Sequence, residues 1–277
     1  MYEAFSEDYD RFVNWEARLA LELPFLEEAL RSVGARRVLD AACGTGRHAV
    51  ALAQRGYEVV GADLSPEMVA RARAHAEATG VPVRFAVAGF GALAPAVGDG
   101  FDALLCLGNS LPHLLTGEDL AAALRDFAAC LRPGGLLCLQ NLNYDRILAR
   151  REAWLSPQAY REGEDEWLFL RHYEFDLDGL LTFQVVILRR QGPGEWGWGQ
   201  RVLRTRLRPW RERELAQALE EAGFHRLQFW GDLQGAPFDP EESGNLVVTA
   251  LRAGAPGGGS EGQSTTCRVT GGETWPK

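Results

Sequence analysis

The chain has 277 residues, 46% of them hydrophobic, enough to bury a large core as one α/β domain with an insertion or as two small domains. A net charge of −9 and a pI near 5.2 argue against a sequence-independent grip on nucleic-acid phosphates and leave only a local basic patch open. Lys277 is the single lysine, which excludes a Schiff-base or P-loop lysine in the body of the chain.

The opening MYEAFSEDYDRF is acidic and aromatic, unlike a signal peptide, and no apolar run approaches membrane-spanning length. Cys43, Cys106, Cys130, Cys138 and Cys267 form no CxxC pair, and four of them fall in apolar helix or strand patterns. They read as buried, reduced thiols of a cytoplasmic protein.

From Trp15 to Ser32, apolar residues at positions 15, 19, 23, 26 and 30 recur at helical spacing, and Gly34 ends the segment. RVLDA then reads as a buried strand, GRHAVALAQRG as a helix stopped by Gly56, and YEVVGAD as a second strand. Ser65, Pro66 and Glu67 form a helix start, and that helix runs to Gly80. VRFAVA is a third strand, FDALLCLGN a fourth, GEDLAAALRDFAACL a helix and GLLCLQNLN a fifth strand. Strands alternating with helices predict a doubly wound, mostly parallel sheet that binds ligands at the carboxyl ends of its strands.

The pattern changes after Leu148. Two strands flank a turn at Asp178-Gly179, GPGEWGWG is a loop, and QRVLRTRLRPW offers a third antiparallel strand. RERELAQALEEAG, FHRLQFWG and NLVVTALR then resume as helix, strand and strand, completing an expected seven-stranded sheet. The expected division is residues 1–148 as N-terminal helix and nucleoside-binding core, and 149–210 as an antiparallel insertion over the strand ends. Residues 211–252 complete the core sheet. From Ala253 the sequence is too poor in apolar residues to pack, so 253–277 is expected to be a disordered tail.

The stretch RRVLDAACGTGRHAVALAQRGYEVVGADLSPEMV concentrates the chemistry. Gly44 and Gly46 let a ligand approach the backbone between strand and helix, and Asp63, ending the second strand, suits both hydroxyls of a ribose. GTGRHA satisfies the loose Gly-x-Gly-x-x-Ala dinucleotide pattern, a weak match by itself. Asp40 stands just before the turn, where its charge would repel a pyrophosphate but suit the sulfonium and amino group of S-adenosylmethionine.

At this point the sequence resembles the class I S-adenosylmethionine-dependent methyltransferases, through VLDAACGTG, VVGADLSPEMV and LRPGGLLCL in that order. DGFDALLCLGNSLPHL and RPGGLLCLQNLNYDRIL are similar to segments of glycine N-methyltransferase and related small-molecule N-methyltransferases. The resemblance implies S-adenosyl-L-methionine as cofactor and assigns roles position by position. Arg18 meets the methionine carboxylate, Ala42 and Gly44 line the turn, and Asp63, followed by Leu64, holds the ribose. Leu107 contacts the cofactor through its backbone, His113 lies at the methionyl end, and Asn109 falls in the substrate pocket, which makes Asn109 and His113 the catalytic candidates.

Two departures stand out. Gly89 occupies the place of the adenine-binding acid of many relatives, leaving backbone groups at Gly89 and Phe90 for that task. The arginine that receives the carboxylate of glycine falls on Leu142, which argues against glycine as acceptor; Arg171, Arg201 and Arg204 are the candidate substitutes.

Each residue also has a plainer role. Asp63 and Asp40 suit capping or turn duty, Arg18 a solvated helix face, and His113 and Asn109 a loop. Tyr144, Tyr2 and Tyr9 read as core packing, with closure over the cofactor as the alternative. Trp196 and Trp198 read as a solvated hairpin end, with a lid or subunit contact as the alternative. The expected function is methyl transfer to a small-molecule acceptor, with nitrogen favoured; an oxygen acceptor would call for a base such as His113 or His172. Methylation of RNA or protein, and a non-catalytic cofactor-binding protein, remain the alternatives, and oligomeric state stays open.

Overall fold

The computed structural model describes residues 8–192 and 197–254. The expectations for Tyr2, Trp196 and the tail beyond residue 254 lie outside the described residues. Helix α1 (Trp15–Ser32) is capped by Asn14, whose side chain accepts from the Ala17 N–H, and buries Leu23, Leu26 and Leu30. β1 (Arg37–Ala41), α2 (Arg47–Ala53), β2 (Glu58–Asp63), α3 (Pro66–Thr79), β3 (Arg84–Val87) and α4 (Leu93–Val97) follow in βα alternation. Next come β4 (Phe101–Cys106), a 3₁₀ turn at Leu111–His113, α5 (Gly117–Cys130), β5 (Leu131–Leu142) and α6 (Tyr144–Arg150). β6 (Trp154–Glu162), β7 (Asp165–Phe175), β8 (Leu181–Arg190) and β9 (Gly199–Leu207) precede α7 (Glu212–Glu221), β10 (Phe224–Trp230) and β11 (Asn245–Arg252).

Seven strands form one sheet in the order β10-β11-β5-β4-β1-β2-β3, parallel from β5 to β3, with β11 antiparallel to both its neighbours. β1 and β4 are adjacent although the chain leaves them in opposite directions, so a crevice opens at their carboxyl ends. Buried apolar layers cover both faces, one including Leu39, Leu104 and Phe127, the other Leu26, Val38 and Leu105. That explains why the central strands read as nearly continuous apolar runs.

The second sheet is a four-stranded antiparallel meander, β6-β7-β8-β9. The sequence showed three of these strands and missed β6. WLSPQAYRE is mostly exposed, contains Pro157, and its pairing with β7 slips between Leu155 and Gln158. β6 is an edge strand, the one place where a proline and a bulge are tolerated. α4 and α6 also escaped the reading, being short and built from few apolar positions.

Candidate active site

The loop after β1 takes three left-handed residues, Ala42, Gly44 and Gly46, with φ of 59°, 55° and 74°. Asp63 ties it to the next loop. One carboxylate oxygen accepts from the Gly44 N–H at 2.9 Å and the other from the Ser65 N–H at 2.9 Å. Burial raises the pKa of Asp63, and these two N–H groups oppose the shift. Gly44 has a specific reason to lack a side chain in its left-handed φ of 55°, and the Tyr9 ring packs over it, 3.6 Å from where a Cβ would stand. Tyr9, read from the sequence mainly as packing, lines the cavity over this turn.

Two residues expected at the cofactor lie off the cavity wall. Gly46 caps α2, and a Cβ on it would come within 2.9 Å of Ala72 and 3.0 Å of the Phe85 ring. Its smallness lets α2 start close against α3 and β3, so it serves packing and not ligand approach. Asp40 is only 2% exposed and covered by α2, accepting from the backbone of Ala49, and its Oδ2 has no partner. Burial, then the nearby Asp63 charge, push its pKa up to about 7.

That shift has a sign that can be tested. Between the ordinary carboxylate value and about pH 7 the folded chain holds a proton that the unfolded chain has lost, so this group lowers stability as pH rises through that window. The stability of Asp40→Asn relative to wild type should therefore grow from pH 5 to pH 8, by up to ~2.7 kcal/mol. Urea unfolding of both proteins at the two pH values checks this, and a constant difference would refute it.

At the far side of the turn, Arg18 lines the cavity, its Nε donating to Glu22 at 2.9 Å and its guanidinium 5.2 Å from the Trp15 ring centroid. Glu22 is itself held by His48 Nε2 at 2.7 Å. Burial lowers the pKa of His48, so the neutral ring donates to Glu22. This Arg18–Glu22–His48 chain fixes a guanidinium at the wall. Glu22 sits one turn after Arg18, a spacing the sequence displayed; nothing marked His48.

After β4 the backbone turns sharply, with Gly108 and Asn109 both left-handed at φ 75° and 66°. Gln140 fastens the turn by accepting from the Gly108 N–H at 2.7 Å, while its own amide donates to Asn245 at 2.7 Å. Asn109 Oδ1 accepts from the Leu142 N–H at 3.0 Å and Nδ2 donates to the Tyr144 hydroxyl at 2.9 Å. Leu107, Asn109 and His113 all line the cavity. Burial pulls His113 down to about 4, so its imidazole is neutral at physiological pH and a poor proton acceptor. His172, the other candidate base, lies against Trp154 with the rings tilted at 49° and centroids 4.4 Å apart, and is not among the cavity-lining residues.

Leu64, Gly89 and Phe90 form the opposite end. Leu64 is 75% exposed although it borders the cavity, an apolar surface available to a flat ring. The antiparallel sheet contributes Leu155, Arg171, Tyr173, Phe183, Val185, Thr205 and Leu207 to the wall. Of the three arginines singled out there, Arg171 alone lines the cavity; Arg201 pairs with Asp8, and Arg204 donates to Gln184 at 3.0 Å. Residues 8–12 strap the two sheets together. Asp10 bonds Thr45 and Arg47 at 2.8 Å each beside the glycine turn, while Arg11 meets Glu162 at 3.1 Å and Phe12 packs edge-on against Phe169. Trp198 is exposed, with the Arg190 guanidinium over its ring at 5.6 Å.

These parts enclose a cavity of about 650 Å³ running from Leu64 and Phe90 to the antiparallel sheet. A nucleoside with a cationic, zwitterionic tail fits it. Asp63 offers acceptors and Arg18 a guanidinium at the wall. Among the described residues no cluster of three or more His, Cys, Asp or Glu is placed to hold a metal ion, and no helix is long and apolar enough to cross a membrane.

The fold and this cavity define a class I S-adenosylmethionine-dependent methyltransferase, and the comparisons agree. A methyltransferase domain model matches residues 38–135. A Clostridium acetobutylicum S-adenosylmethionine-dependent methyltransferase superposes over 91% of this chain and 99% of its own, with TM-score 0.73 at 18% identity, a likeness of fold. The glycine/sarcosine N-methyltransferase of Aphanothece halophytica is 34% identical over 232 residues, covering 84% of this chain and 82% of the relative. That of Halorhodospira halochloris is 31% identical over 239 residues, covering 86% and 84%. The chain belongs to the glycine/sarcosine N-methyltransferase family. It is an enzyme that takes its methyl group from S-adenosylmethionine.

Proposed function

We propose that the enzyme methylates the nitrogen of a small-molecule amine bound between the β4 and β5 loops and the antiparallel sheet. The observation that carries this reading is the acceptor end of the cavity. Leu142, Phe183, Val185 and Leu207 make it apolar, and its one histidine, His113, is held neutral with little affinity for a proton. A neutral amine needs no base to become nucleophilic, whereas a hydroxyl does.

Bound S-adenosylmethionine supplies a methyl group on a positively charged sulfur and leaves as a neutral thioether. The chain's residues do the rest by holding and shielding. In this proposal Arg18 receives the methionine carboxylate and Asp63 the ribose hydroxyls. Leu64, Phe90 and the Gly89 backbone hold the adenine, and the backbone at Ala42, Gly44 and Leu107 shapes the channel between them. Tyr9 and Phe12 cover the cleft and keep water out. Asn109, pinned by Leu142 and Tyr144, aligns the amine, and His113 completes the wall as a neutral hydrogen-bonding group. Alignment of this kind can supply ~7–11 kcal/mol of the barrier. After transfer the extra proton leaves with the product ammonium to solvent. Residues 149–210 are assigned the acceptor side. The four cysteines among the described residues are free and buried, which supports a reducing cytoplasmic setting.

Incubating the protein with S-adenosylmethionine and panels of small amines, alcohols and thiols tests the proposal. S-Adenosylhomocysteine is expected to appear in step with an N-methylated product. Methylation confined to oxygen or sulfur would overturn it.

A further inference from the structure

Arg171 stands apart from the other arginines of the antiparallel sheet. Arg161 and Arg190 pair with Glu166, Arg189 with Asp165, Arg201 with Asp8 and Arg206 with Asp178, while Arg204 donates to Gln184. Arg171 has no carboxylate among the described residues. One Nη donates to the Ser156 carbonyl at 3.3 Å, the guanidinium lies 4.9 Å from the Phe12 ring centroid, and the buried Nε has no hydrogen-bond partner.

The surroundings make this costly. Arg171 shares a face of β7 with Phe169 and Tyr173, and stands opposite Leu155 on β6 and Val185 on β8. It is therefore a cation in an apolar row, and burial lowers its pKa. A half-buried charge without a counter-ion is unfavourable unless something supplies one. Arg171 lines the cavity, so that something can be a ligand. Leu142, where the family resemblance puts the carboxylate-binding arginine, is here an apolar neighbour of the cluster containing Tyr173.

We infer that the methyl acceptor carries a carboxylate, and that Arg171 receives it. The inference rests on the N-methylation reading above and deepens it. The receptor for the anion has moved from the end of β5 to the middle of β7, so the amine and the carboxylate of the acceptor span the distance between Asn109 and Arg171. The flanking Leu155 and Val185 favour an apolar remainder over a second charge. A planar guanidinium with a free Nε–H suits the two oxygens of a carboxylate better than an ammonium would.

The test needs no turnover. Protein saturated with S-adenosylhomocysteine is titrated calorimetrically with propionate and phenylacetate, and with propionamide and phenylacetamide, which match them in shape but lack the charge. At least one acid should bind about tenfold or more tighter than its amide. Arg171→Met should abolish that preference while leaving S-adenosylhomocysteine affinity within about twofold, because Phe12, the one neighbour the two sites share, keeps an apolar partner in methionine and its edge contact with Phe169. Arg171→Lys, which keeps the charge, should retain part of it, and the wild-type comparison stands even if a variant fails to fold. Equal binding of acid and amide, no binding of either, or a preference surviving in Arg171→Met would each overturn the inference. N-methylation of amines with no preference for a carboxylate would sink the role of Arg171 and leave the proposed reaction standing.

Discussion

Asp63→Ala is expected to weaken S-adenosylmethionine binding roughly 10–150-fold, the loss of ~1.5–3 kcal/mol that follows removal of a charged hydrogen-bond partner. The geometry adds a second reason for a large effect. The same carboxylate accepts from Gly44 and Ser65, so alanine also releases the glycine turn from the loop after β2. Calorimetry with both S-adenosylmethionine and S-adenosylhomocysteine separates two roles. If Asp63 grips ribose hydroxyls, donor and product lose affinity equally, because both carry the same sugar. If it acts by charge on the sulfonium, only the donor suffers. Unchanged affinity for both would defeat the ribose assignment outright.

The parallel sheet was legible because strands such as RVLDA and FDALLC are buried on both faces and read as apolar runs, with helices between them that carry their own caps. β6 was illegible for the opposite reason, as an exposed edge carries no core pattern. The same split runs through the site. Gly44 was readable because a left-handed turn favours glycine, and Asp63 because it closes an apolar strand at the carboxyl edge of the sheet. Asp40 and Gly46 share their stretch of sequence, yet one is sealed under α2 and the other spaces two helices, a distinction set by packing depth and not by residue type. Arg171, Arg201 and Arg204 were equivalent on paper. Strand register and the N-terminal strap separate them, by giving Arg201 to Asp8 and Arg204 to Gln184 and leaving Arg171 at the cavity.

Asn109 is where acceptor alignment can be isolated from cofactor binding. Its φ of 66° is a conformation that asparagine tolerates and glycine adopts without strain, so Asn109→Gly removes the side chain while sparing the backbone turn. What disappears is the pair of bonds to the Leu142 N–H and the Tyr144 hydroxyl, which join the β4 loop to the end of β5 and the start of α6. Gln140 still holds Gly108, so the cofactor side of the loop stays fastened. Misplacing a reacting group by about 1 Å can cost ~10²-fold in rate, and a fall in kcat of that order is expected. S-Adenosylhomocysteine affinity should stay within about twofold, since its proposed contacts lie elsewhere. A variant with unaltered kcat would show that Asn109 only shapes the turn. One that lost cofactor affinity as well would place the residue on the donor side of the cavity and shift the acceptor toward Tyr173.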